Sequence, residues 1–126
     1  MDIFTPLIHS LTELIGGFDH LIYALLVFAI IDYITGLMSA LLLHRFTVQI
    51  AIRGIYKKIL IFLLVIISHI LDTNILFTEN VLRTAVIFFY LCTEGTSILK
   101  NVRIIGLPIP SKLKEIFRNL ENDKQP

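Results

Sequence analysis

The chain has 126 residues, 56% of them hydrophobic, a formal net charge of +1 and one cysteine. That apolar share exceeds the soluble norm of about 45–50%, and the mean hydropathy of +0.81 points the same way. The lone Cys92 excludes an intramolecular disulfide and any multi-cysteine metal site; set in an apolar run, it reads as a buried small hydrophobe. The small net charge hides segregation, because the N-terminal segment is acidic while a first loop and the tail are rich in Lys and Arg.

Residues 1–18 begin without a basic leader, so no cleavable signal peptide is expected and the mature protein should keep every residue. Phe4, Leu7, Ile8, Leu11, Leu14 and Ile15 recur at helical spacing, predicting a short amphipathic helix in the membrane interface, ended by Gly16-Gly17. Asp19 is placed to cap the first spanning helix. Residues 19–43 contain Leu21–Leu43, 23 positions with one formal charge, Asp32. As a helix the run extends roughly 34 Å, enough for a hydrocarbon core of about 30 Å. Its Leu, Ile, Val and Phe residues return roughly 4–7 kcal/mol on insertion, against about 2.5–3.5 for a central Asp.

Residues 44–53 form a basic loop, and residues 54–72 are expected to make a second span whose lysines snorkel outward. Residues 73–80 read as an external turn starting at Thr73-Asn74, and 81–99 as a third span carrying Arg83 and Glu94. Residues 100–126 form a basic tail with a break at Gly106, Pro108 and Pro110. Beyond it, a helix capped by Ser111 would present Leu113, Ile116, Phe117 and Leu120 on one face. Lys112, Lys114 and Arg118 beside that face suit an anionic lipid surface at about 1 kcal/mol per basic residue. Disorder is expected over 121–126. The fold class is thus all-α, an integral membrane protein of about three spans plus amphipathic terminal helices. Lys and Arg number zero over residues 1–18, four over 44–58 (two in the loop, two at the start of the second span), zero over 73–80 and six over 100–126, which puts the N-terminus outside and the C-terminus in the cytoplasm.

Nothing in the sequence carries enzyme chemistry. It has no Gly-rich phosphate loop or metal-ligand cluster, His69 and Asp72 have no nucleophile beside them, and no cofactor, metal or nucleic-acid partner is expected. The informative polar groups lie on helical stripes. Ala29, Asp32, Gly36 and Ala40 form a small, polar face on the first span; Arg83, Ile87, Tyr90, Glu94, Ser97 and Asn101 form a heptad seam on the third; Lys57, Ile61, Val65, Ser68 and Asp72 align on the second. Such stripes serve either helix packing in a static bundle or the lining of a water-filled lesion in a homo-oligomer, since three helices alone enclose no useful pore. In the first case Asp72 would pair with Arg83, and Glu94 with Lys57 or Lys58.

Three blocks make the sequence similar to a known family: DYITGLMSALL from Asp32, RGIYKK from Arg53 to Lys58 with the apolar run to Leu71-Asp72, and FYLCTEGTSILKNVRIIGLPIPSKLKEI from Phe89 to Ile116. Over roughly Leu26 to Leu120 the chain resembles phage holins of the toxin secretion/phage lysis family. The closing block, with Glu94-Gly95, Asn101 and Gly106-x-Pro108-x-Pro110, is the most specific. Thr47-Val48 replaces a usual Ser-rich stretch, and Lys100 stands where an acidic residue is common. The resemblance implies a small protein of the bacterial inner membrane that accumulates harmlessly and then assembles abruptly into lesions, through which a cytoplasmic endolysin or a toxin passes. The rival class is a non-lytic membrane scaffold, transporter accessory or membrane-acting toxin.

Overall fold

Capping and glycine chemistry set the helix boundaries. The structure, a computed structural model, describes residues 2–124. Among them are five α-helices and no strand: α1 (Phe4–Ile15), α2 (His20–Leu42), α3 (Val48–Asn74), α4 (Val81–Ile105) and α5 (Ser111–Lys124). The all-α class expected from the sequence is the observed one. Helix α1 stops where Gly16 takes φ 96°, and the amides of Gly16 and Gly17 return to the carbonyls of Glu13 and Thr12. A side chain at that φ is strained, so glycine supplies the end. Extended Asp19 then caps α2 by accepting the Ile22 amide at 3.0 Å.

Three boundaries differ from the sequence reading. The basic loop expected over 44–53 is shorter, because Thr47 accepts the Ile50 amide at 3.1 Å and starts α3 at Val48. At its other end α3 runs through Thr73 and Asn74, and the chain reverses at residues 75–80 with Phe77 and Asn80 at positive φ. Helix α4 continues past Leu99 to Ile105, where Gly106 at φ 104° closes it. Ser111 is the first residue of α5 and not its cap; the Pro110 carbonyl accepts the amides of Leu113 and Lys114. Helix persists to Lys124, within the stretch expected to be disordered; Gln125 and Pro126 lie outside the described residues.

Helix α4 is the hub. It packs along α2 and against α3, α5 folds back upon it, and α1 lies against α3, whereas α2 and α3 touch little. Ile22 and Leu25 of α2, Ile61 and Val65 of α3 and Ile87 of α4 form the apolar core. The outer surface is apolar nearly everywhere, with Ile30, Leu41, Leu60, Ile67 and Phe88 exposed, while Asp32, Ser39, Ser68, Asp72, Arg83 and Glu94 are buried. This distribution suits a solvent of acyl chains, where polar groups must be satisfied inside. Helices α2 and α4 are each long and apolar enough to cross a membrane.

Candidate functional site

Helix phase brings three stripes together. Asp32 of α2, Lys58 of α3 and Glu94 of α4 meet about 18 Å down α2 from its start. The Lys58 ammonium donates to Asp32 Oδ2 and, at 2.6 Å, to Glu94 Oε1. Asn101, two turns below Glu94, donates through Nδ2 to Asp32 Oδ1 at 3.2 Å and to Thr35 Oγ1 at 3.0 Å. Both carboxylates are buried, Asp32 at 8% and Glu94 at 4% exposure. Two carboxylates around one ammonium leave a formal charge of −1 in a low-dielectric setting, where an ion without a partner costs several kcal/mol.

The approach of α3 to this site depends on Gly54. The Tyr33 ring lies over it, so that an added Cβ would come within 2.8 Å of Tyr33 Cε1. The Tyr33 hydroxyl donates to the Ala51 carbonyl at 3.0 Å. Because α2 and α3 otherwise touch little, a cleft of about 200 Å³ opens between them beside the cluster, with Tyr33, Gly36, Lys57, Ser97 and Asn101 in its wall. Lys58 turns inward to the carboxylates and makes the pair with Glu94 that the packed-bundle alternative predicts, in place of snorkelling outward; Lys57 is exposed. Gly36 faces Asn101, whose Nδ2 would lie 3.6 Å from a Cβ added there. Ala40 is half-buried, and the buried residue at its level is Ser39. Tyr90 and Ser97 are half-buried, Tyr90 packing on the core and edge-on to Phe89 with centroids 5.0 Å apart.

A second buried charge site joins the opposite ends of the helices. Arg83, 1% exposed, donates from Nε to the Ile15 carbonyl at 2.6 Å, from one terminal nitrogen to Asp19 at 2.9 Å and from the other to the Gly17 carbonyl at 3.0 Å. It thereby satisfies orphan carbonyls at the end of α1 and ties that turn to α4. Its ion pair is with Asp19, not with Asp72. Asp72 instead accepts the Leu82 and Arg83 amides at 3.1 and 2.8 Å and the Thr78 hydroxyl at 2.6 Å, capping α4 from α3. A carboxylate at a helix N-terminus satisfies free N–H groups and the dipole together, which leaves the guanidinium to Asp19. Burial pushes the Asp19 carboxyl up, but the hydrogen bond from Arg83, the Ile22 amide and the guanidinium charge outweigh it and hold it below the usual carboxylate value.

In the sequence Asp19 is legible only as a cap; its second role went unseen, along with the parts played by Thr35 and Gly54. So did the seat of α5: the Phe117 ring occupies the space a Cβ on Gly95 would need and lies 6.0 Å from the Phe28 ring. Lys112 and Arg118 are exposed and Lys114 is half-buried. Among the described residues no three His, Cys, Asp or Glu side chains are grouped to hold a metal.

A model described as the bacteriophage holin family matches residues 9–122. An uncharacterized 14.9 kDa protein of Clostridium perfringens is 36% identical over 113 residues, covering 90% of this chain and 86% of that protein. An uncharacterized Listeria monocytogenes protein is 43% identical over 104 residues, 82% of this chain and 74% of its own length. A probable holin of Bacillus phage phi105 is 36% identical over 99 residues, covering 79% of this chain and 73% of the phage protein. No solved structure matches the chain.

Proposed function

Because this chain belongs to the bacteriophage holin family, a family of membrane proteins and not of enzymes, we propose that it oligomerises in the cytoplasmic membrane of the host and opens lesions. Through these an endolysin or toxin reaches the cell wall, without direct binding to the holin. In this reading α3 is a third span beside α2 and α4, the N-terminus is outside and the C-terminus is cytoplasmic. Supporting it are the counts of zero, four, zero and six basic residues over 1–18, 44–58, 73–80 and 100–126, the second group lying in the α2–α3 connection and the first turns of α3, and the length of α3, 27 residues or about 40 Å. Helix α1 then lies in the outer interface.

The observation that carries the proposal is the buried cluster of Asp32, Lys58 and Glu94 inside an otherwise lipid-compatible bundle. In the isolated subunit Lys58 gives both carboxylates, which could not face acyl chains, a shared cationic partner. In an assembly the same stripe, with Gly36, Ala40, Tyr90 and Ser97 alongside, can turn toward water, which solvates the carboxylates in place of Lys58. The slight contact between α2 and α3 is where such a rearrangement meets least resistance. A charge that moves across the membrane couples to the potential at about 2.3 kcal/mol per 100 mV, so collapse of the potential shifts the balance between the two states.

Induction with and without a co-expressed endolysin, followed by turbidity and membrane potential, tests this reading. Abrupt lysis after a delay is expected only with both proteins, and equal lysis by endolysin alone refutes it. For topology, in a Cys92→Ala background a cysteine at Glu79 should react with an impermeant thiol reagent in intact spheroplasts. A cysteine at Gln125 should react only after permeabilisation, and the reverse pattern removes the three-span arrangement.

A further inference from the structure

Helix α5 folds back along α4 but does not seal against it. Between them lies a cleft of about 420 Å³ lined by Lys100 and Arg103 of α4 and Lys114 and Arg118 of α5, with Leu99 and Phe117 as its apolar wall. Among the described residues the lining contains no acidic side chain and none of the four cations makes an ion pair. Four like charges gathered by two packed helices repel one another, so the closed position of α5 favours an anion between them. Two arginines supply planar donor forks that match phosphate oxygens, and the lysines add point charges. The apolar wall of Leu99 and Phe117 suits acyl chains attached to that phosphate.

We propose that this cleft binds the headgroup phosphate of an anionic phospholipid, clamping α5 against α4. Its place in the inner leaflet rests on the orientation proposed above. This differs from a general attraction of the basic amphipathic helix to a charged surface, which would use Lys112 as readily as Arg118. The cleft uses Arg118 and Lys114 together with Lys100 and Arg103 of another helix, and Lys112 is not in its wall. Occupancy would hold Phe117 on Gly95 and thereby link the lipid around the subunit to the packing of α4 beside Glu94.

The test titrates purified full-length protein in neutral detergent with fluorescent phosphatidylglycerol, using phosphatidylcholine and inorganic phosphate as competitors. Arg103→Gln with Arg118→Gln should weaken binding about tenfold or more, while Lys112→Gln leaves it within about twofold. Should the glutamine pair lose helix content by circular dichroism, Arg103→Lys with Arg118→Lys takes its place: charge is kept, the fork is lost, and binding should fall by a smaller factor. Phosphatidylcholine and inorganic phosphate should not displace the probe at matched concentration. Equal loss from Lys112→Gln, equal affinity for phosphatidylcholine, or full binding by the glutamine pair overturns the site. Displacement by inorganic phosphate at matched concentration overturns the lipid as its source. Binding in detergent is independent of membrane orientation and of lysis, so this result and the proposed function fail separately.

Discussion

The two buried charge sites are built differently. Arg83 directs three of its donors at two backbone carbonyls and one carboxylate in the turn between α1 and α2, and Asp72 beside it holds backbone amides. Backbone partners cannot rotate away, so that site locks helix ends in one arrangement. Lys58, by contrast, touches only side chains, from two helices, on the seam where α2 and α3 meet least. In the function proposed above, its partners are exchanged for water or for a neighbouring subunit. The two clusters therefore differ in what they hold: one ties helix ends through the backbone, while the other joins side chains of neighbouring helices, and it is the latter that the proposed assembly would rearrange.

The largest effect expected from this contrast is on folding. Arg83→Ala strands the carbonyls of Ile15 and Gly17 and removes the partner of Asp19, which should destabilise the protein by on the order of 3 kcal/mol. Thermal unfolding in detergent and accumulation in the membrane fraction are the readouts. A variant that melts with the wild type would make the Arg83 site as dispensable as a surface ion pair and erase the distinction between the two sites.

For the Lys58 site the expectation is on timing and not on folding. Among the described residues Asp32 accepts hydrogen bonds from both Lys58 and Asn101, and Glu94 accepts one from Lys58. Asp32→Asn, which keeps the shape and removes the charge, should therefore preserve insertion yet shift lysis timing strongly or abolish lysis, and Glu94→Gln should shift it less. Ile31→Val, at an exposed position on α2, should leave timing nearly unchanged. Lysis by Asp32→Asn on the wild-type schedule at matched protein level would reduce the cluster to packing.

How legible each site was in the sequence depends on its chemistry. The stripes at Asp32, Glu94, Val65 and Ser68 come from helical periodicity, which one sequence carries, and those positions face inward as the period demands. Lys58 was ambiguous because Lys57 and Lys58 point about 100° apart and only the tertiary phase of α3 selects one. The Arg83 site was misread for another reason: its partners are mostly backbone carbonyls, which every residue has and no side-chain pattern marks. Even the pairing of Arg83 with Asp72, natural by charge and proximity, fails because the amides of α4 reach that carboxylate first. Helix ends showed the same division. Gly16 and Asp19 announced themselves, while Thr47 passed unnoticed inside a segment read as a loop.

Two adjacent glycines sharpen the contrast from within the turn. Gly16 and Gly17 both have positive φ, 96° and 100°. A Cβ on Gly16 would meet Arg83 Nε and His69 Nδ1 at 2.7 Å, whereas one on Gly17 meets nothing within 4 Å. Gly17→Ala should thus carry only the backbone penalty of about 1–2 kcal/mol, and Gly16→Ala should add the displacement of the guanidinium. Equal melting temperatures for the two variants would mean that Arg83 can relax away from Gly16, so that the site is less rigid than its bonds imply.

The smallest effect expected is the pH dependence carried by Asp19. Its folded carboxyl lies below the ordinary value of 3.8, so the charge interaction with Arg83 contributes fully above that value and is lost as pH falls through the lower, folded one. The Asp19 side chain is 48% exposed, and solvent screening keeps the contribution below about 1 kcal/mol. Asp19→Asn isolates this contribution, because asparagine caps a helix about as well as aspartate while lacking the charge. The gap in melting temperature between wild type and Asp19→Asn should stay constant from about pH 7 to 5 and then close as the carboxyl protonates below pH 3.8. A gap that persists in acid would mean that the carboxylate matters only as a hydrogen-bond acceptor, and that the Arg83 site is held by its backbone carbonyls alone.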